Sequence, residues 1–108
     1  MEANKYQSLA MTTMNKELTK QQLLINAVMG LAGESGECVD LVKKHLFHNH
    51  PLDREKLILE LGDVCWYIAE AATYLDIDMA EIFEKNIAKL KERYPEGFSS
   101  ERSLNRAK

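Results

Sequence analysis

At 108 residues, with 45% hydrophobic and 29% charged side chains, the chain has the size and composition of one globular domain. The formal net charge is −3 and the Lys and Arg residues are dispersed, which removes the electrostatic basis for nucleic-acid binding. No apolar run approaches the roughly 20 residues that cross a bilayer, and the polar start Met1-Glu2-Ala3-Asn4-Lys5 lacks the apolar core of a signal peptide, so a cytoplasmic location is expected.

Both prolines, Pro51 and Pro95, fall where helical patterns stop, and no run alternates as a strand does. The expected fold is all-α and four-helix bundle-like. Tyr6, Leu9, Ala10 and Thr13 recur at helical spacing and predict a short helix over about 3–14. Thr19 is placed to cap a second helix over about 20–47, whose apolar stripe is Leu24, Ala27, Val28, Leu31, Cys38, Val39, Val42 and Leu46. Gly30, Gly33 and Gly36 crowd that helix, each costing about 1 kcal/mol relative to Ala, so either another backbone or a ligand packs closely there. No strand precedes these glycines and their spacing is wrong for a dinucleotide fingerprint.

His48-Asn49-His50-Pro51-Leu52-Asp53 reads as a turn that folds the next helix back antiparallel. Asp53 is placed to cap that third helix, which runs to about Tyr74 on the apolar stripe Leu57, Leu61, Val64, Ile68, Ala71, Ala72 and Leu75. Beside it lies a second stripe of Lys56, Glu60, Asp63, Tyr67 and Tyr74. Asp78 is placed to cap a fourth helix reaching about Tyr94, with Met79, Ile82, Phe83, Ile87 and Leu90 on its apolar face. Asn86 falls inside that face and Arg93 at its edge, so the Asn86 amide is expected in the core and needs a partner, from backbone or from a ligand. Residues 1–98 are expected to form one helical domain, and 99–108 a polar tail. His45, His48 and His50 have no Cys or carboxylate at suitable spacing to complete a zinc site and read as a solvated helix end. Cys38 and Cys65 sit at apolar positions and are expected as buried free thiols.

The chemistry concentrates in two carboxylate pairs. Glu34 and Glu37 are three residues apart in Gly33-Glu34-Ser35-Gly36-Glu37, and Glu60 and Asp63 are three apart in Glu60-Leu61-Gly62-Asp63-Val64. Each pair lies on one helix face. The turn between the helices lets all four acids converge on one seam, where mutual repulsion calls for a divalent cation with a preference for oxygen, such as Mg²⁺. The alternative is a solvated acidic face. A di-iron bundle is set aside because no Glu-x-x-His occurs.

These same segments resemble a known family. Gly30-Leu31-Ala32-Gly33-Glu34-Ser35-Gly36-Glu37 with Leu41-Val42-Lys43-Lys44, then Glu60-Leu61-Gly62-Asp63-Val64-Cys65-Trp66-Tyr67, then Asn86 to Pro95, are similar to the ordered motifs of the MazG-like nucleotide pyrophosphohydrolases. The resemblance covers about residues 24–98, and the first pair lacks the doubled glutamate of many members. It implies an all-α, Mg²⁺-dependent hydrolase of acid anhydrides. Such an enzyme converts a (d)NTP and water to a (d)NMP and pyrophosphate, as in house-cleaning of nucleotide pools. Glu34, Glu37, Glu60 and Asp63 would hold the metal, with Glu34 or Glu37 activating water. Lys56, Lys89 and Arg93 would hold phosphate oxygens, and Asn86 phosphate or sugar. Tyr67 or Trp66 would stack on the base, with core packing as the other reading of Trp66. The family also implies a homo-oligomer, dimer or tetramer, whose subunits complete one another's pockets. The competing function is a non-catalytic helical interaction module with a structural or degenerate acidic metal site.

Overall fold

The computed structural model describes residues 1–106, and the regular elements among them are helices: α1 (Ala3–Met11), α2 (Lys20–Phe47), α3 (Arg54–Tyr74), α4 (Met79–Arg93) and α5 (Ser100–Leu104). No helix is long and apolar enough to cross a membrane. The local signals explain most boundaries. Thr19 and Gln22 form a reciprocal capping box at the start of α2. The Asp53 carboxylate accepts from the Lys56 N–H at 3.1 Å and starts α3. Asn49, at φ 58°, turns the chain between them.

α1 ends three residues before its expected limit. The hydroxyls of Thr12 and Thr13 bond back to Leu9 and Ala10 carbonyls, and backbone bonds from Thr12 to Met14 reach only three residues back, so the helix tightens and stops. Within the stretch expected as a polar tail, Ser99 caps the five-residue α5; Ala107 and Lys108 lie outside the described residues.

The start of α4 corrects one expectation. Asp78 stands at the N-cap position, yet its side chain makes no capping bond. The free N–H groups are met instead by α1: Gln7 Oε1 accepts from Met79 N at 2.8 Å and Asn4 Oδ1 from Ala80 N at 3.1 Å. Gln7 Nε2 donates in turn to Thr73 Oγ1 and to the Ile77 carbonyl.

α2 and α3 run antiparallel along most of their lengths, and α1 packs on α3 and α4. The fully buried apolar residues are small or few: Ala10, Ala27, Ala69, Ala72 and Met79. Much of the expected apolar stripe stays open in the single chain. Val28, Val39 and Leu46 on α2, Leu61 on α3 and Leu75 at its C-cap, and Phe83 and Ile87 on α4 are all exposed. The radius of gyration is 16.9 Å, against about 13 Å for a close-packed chain of this length. Asn86 is exposed with its neighbours rather than in the core, because the outer part of α4 finds no cover within the chain. Cys38 and Cys65 are free thiols, but Cys38 is only half-buried and Cys65 is exposed.

Candidate functional site

The α2–α3 seam has a regular register. Asn26 meets Glu70, Gly30 meets Tyr67, and Glu34 meets Glu60 and Asp63. Each step advances one helical turn on both helices in opposite directions. The close approach in the middle of this ladder depends on Gly30, where a Cβ would overlap the Tyr67 ring. Gly33 and Gly36 face open space within the chain, so only Gly30 is required by packing inside it. Gly30 thus lets the Tyr67 ring come against the α2 backbone, and the helices come close enough for their acids to meet.

Carboxylate oxygens of Glu34, Glu60 and Asp63 lie within 4.8 Å of one another. Glu34 and Glu60 are half-buried and Asp63 is exposed. The crowding shows in the Glu34 carboxyl, pushed up to about 7. A hydrogen bond shared with Glu60 contributes most, followed by desolvation and then by the charges of Asp63, Glu60 and Glu37. Glu37 lies outside the group of three and is exposed, although its charge reaches Glu34. Hard carboxylate oxygens gathered in this way are the donor type that a divalent metal ion takes.

Thr13, Glu34, Asp63, Trp66 and Tyr67 line an open cavity of about 350 Å³ next to the acids. Trp66 has a structural tie: its indole N–H bonds the Ala10 carbonyl and Thr13 Oγ1, both at 2.9 Å, and joins α1 to α3. Its ring meets Tyr67 edge-on, with centroids 5.1 Å apart. Both aromatic rings therefore border the acidic group, held in place by packing.

The remaining sequence-derived residues are not gathered there. Lys56 is exposed in the first turn of α3. Asn86 is exposed on α4. Lys89 and Arg93 line a different cavity, which shares no residue with the acidic one. The histidines make no metal group among the described residues: His45 Nδ1 lies 2.9 Å from the His50 carbonyl and closes the turn.

One residue of the seam escaped the sequence reading. Glu70 is 1% exposed. Asn26 Nδ2 donates to its Oε1 at 2.8 Å, and its Oε2 is buried without a partner among the described residues. The signal was present in the spacing, because Glu60, Asp63, Tyr67, Glu70 and Tyr74 follow steps of three and four along one face of α3.

The family model of the MazG nucleotide pyrophosphohydrolase domain matches residues 22–98. The Gene 37 protein of Mycobacterium phage L5 is 40% identical over 73 residues; the match covers 64% of this chain and 64% of that protein, so the chain spans less than two thirds of its length. No solved structure matches the chain significantly. The matched residues include both acidic pairs, Tyr67, Glu70 and the Asn86–Arg93 stretch; α1 and α5 fall outside them.

Proposed function

The chain belongs to the MazG nucleotide pyrophosphohydrolase family, and from that premise we propose that it hydrolyses a ribo- or deoxyribonucleoside triphosphate to the monophosphate and pyrophosphate. The observation that carries this reading is the meeting of Glu34, Glu60 and Asp63 across α2 and α3. Two motifs separated by a turn arrive at one point, as a polyanion-processing site requires.

The donor set fits Mg²⁺: three carboxylates and no thiolate or imidazole, with the Glu34 carboxyl pushed up to about 7 by its hydrogen bond to Glu60, by desolvation and by the neighbouring negative charges. Glu34, Glu60 and Asp63 would hold the ion with Glu37 beside them, and the bound ion would supply charge neutralisation for the phosphates. The reaction adds water across the bond between the α- and β-phosphates. The water oxygen joins phosphorus, the bridging oxygen leaves with pyrophosphate, and a water proton must be taken up. Glu34 or Glu37 would accept it. Tyr67 presents an aromatic surface for the base, while Trp66 serves mainly to fix Tyr67 and α1.

Lys56, Asn86, Lys89 and Arg93 complete this reading as groups for the phosphates and sugar. Within one chain Lys89 and Arg93 line a separate cavity, and the flanks of α2, α3 and α4 leave Val39, Leu46, Leu61 and Phe83 exposed. A homo-oligomer would cover these surfaces and bring α4 of one subunit toward the acids of another.

The test is pyrophosphate release from a panel of ribo- and deoxynucleoside triphosphates, with and without Mg²⁺, alongside Glu60→Gln, with the assembly state followed by light scattering. Mg²⁺-dependent release that Glu60→Gln abolishes is expected, from a dimer or tetramer. No release from any nucleotide would leave a non-catalytic helical module, and a fully active monomer would remove the shared site.

A further inference from the structure

The second cavity lies between α4 and α5. Its volume is about 430 Å³, and it is lined by Lys89, Glu92, Arg93, Arg102, Asn105 and Arg106. Four cations thus face one carboxylate in a chain whose net charge is −3. None of the four is in an ion pair among the described residues; the pairs present use Lys43, Lys44, Arg54 and Lys85. Four cations gathered around a single carboxylate raise a focused positive potential, and such a field selects small, dense anions.

The cavity is built by local geometry rather than by chance extension of a tail. Gly97 adopts φ 93°, a conformation that favours glycine, and its N–H bonds the Tyr94 carbonyl at 3.1 Å. The chain reverses there, with Tyr94 and Phe98 ring centroids 5.4 Å apart. Ser99 Oγ then accepts from Arg102 N, and Asn105 Nδ2 donates to the Glu101 carbonyl, which together order the short helix that carries Arg102, with Arg106 just past its C-cap Asn105. Arginine donors in a fork geometry match phosphate oxygens in pairs. The volume falls within the range of small-molecule sites.

We infer that the α4–α5 cavity binds an oligophosphate, with Arg102 and Arg106 as binding residues beyond the family-matched stretch. The inference rests on the proposed hydrolase reading for its source: the triphosphate of the substrate or the pyrophosphate released. Those two sources share one chemistry, a flexible chain of phosphates carrying several negative charges.

The test starts with inorganic tripolyphosphate titrated calorimetrically into the full chain in the presence of a chelator, so that no divalent ion and no hydrolysis contribute. Saturable binding is expected. Arg102→Gln/Arg106→Gln should weaken it by about tenfold or more, since each lost contact is a charge-assisted hydrogen bond. Lys43→Gln/Lys44→Gln, which removes two cations from α2, should leave it unchanged. Helicity by circular dichroism confirms that both variants are folded. Equal affinity for wild type and the arginine variant would overturn the inference, as would equal loss in the lysine variant. Tighter binding of a single-stranded oligonucleotide than of tripolyphosphate would overturn it in favour of a nucleic-acid surface.

A second arm uses the Mg²⁺-dependent hydrolysis assay. A raised KM with little change in kcat in the arginine variant assigns the cavity to the substrate's triphosphate. An unchanged KM with weaker inhibition by added pyrophosphate assigns it to the product. Absence of hydrolysis in the wild type would sink the hydrolase reading alone, because the chelator titration does not depend on turnover.

Discussion

Gly30→Ala is the substitution with the most to say about the seam. In an ordinary helix interior this change gains about 1 kcal/mol. Here the new methyl would fall on one edge of the Tyr67 ring. The ring cannot swing away freely, because Trp66 meets it edge-on and is itself held by Ala10 and Thr13. Overpacking of this kind costs about 1–3 kcal/mol. Set against the helix gain, the upper part of that range leaves a net loss of about 1–2 kcal/mol. In a Tyr67→Ala background the obstacle is gone, and the same Gly30→Ala should stabilise by up to about 1 kcal/mol. The sign reversal corresponds to a coupling of about 2–3 kcal/mol between the two positions. Urea denaturation of the four members of the cycle measures it. Gly33→Ala is the control, since nothing lies within 4 Å of a Cβ placed there. A stabilising Gly30→Ala in the wild-type background, or an identical effect in both backgrounds, would refute the account of why α2 and α3 approach so closely.

Four further outcomes are expected. Mg²⁺ should raise the Tm of the wild type and not of Glu60→Gln, because a cation that relieves carboxylate crowding binds the folded state preferentially. Glu34 adds a pH dependence: its carboxyl rises from 4.5 to about 7 on folding, so the metal-free protein should lose stability as pH climbs through that window, while the Mg²⁺-induced Tm shift should grow; a shift independent of pH in differential scanning fluorimetry would count against Glu34 as a ligand. Asn26→Ala strips the donor from the buried Glu70 carboxyl and should cost about 1–3 kcal/mol in denaturant unfolding, and Asn26→Leu/Glu70→Met should recover most of it; a cost like that of an ordinary surface change would mean Glu70 has another partner. Asn86→Ala should leave Tm nearly unchanged, since Asn86 is exposed, and lower kcat/KM by about one to two orders of magnitude, as loss of about 1.4–2.8 kcal/mol of transition-state binding would give; a large Tm loss with intact kcat/KM would make the residue structural.

The helix order, the caps at Thr19 and Asp53, and the meeting of Glu34 with Glu60 and Asp63 were legible because each rests on neighbours close in sequence. Helical period fixes which acids share a face, and a short turn leaves few ways to place the second helix. What could not be read depends on distant partners. The Asp78 cap position is bypassed by Gln7 and Asn4, more than seventy residues earlier in the chain. Asn86 looked internal because period alone cannot tell a face buried in one chain from a face left open. Arg102 and Arg106 read as part of a polar tail, since only the reversal at Gly97 turns them toward Lys89 and Arg93. Glu70 was visible in the spacing, but burial of a carboxylate runs against the usual preference of acids for water.

The Gln7 amide, bonded at once to Thr73, Ile77 and Met79, acts as a splint across the elbow between α3 and α4. α1 lies outside the family-matched residues, while the elbow lies inside them. The direction in which α4 leaves the elbow is therefore set by a segment outside the residues matched by the family model. Altering α1, for example by Gln7→Ala, should re-aim the helix that carries Asn86, Lys89 and Arg93 while the acidic seam, held by Gly30 and Tyr67, stays where it is. The acidic seam and the arm that carries these polar groups are thus oriented by separate parts of the chain, one by the α2–α3 register and the other by the N-terminal helix.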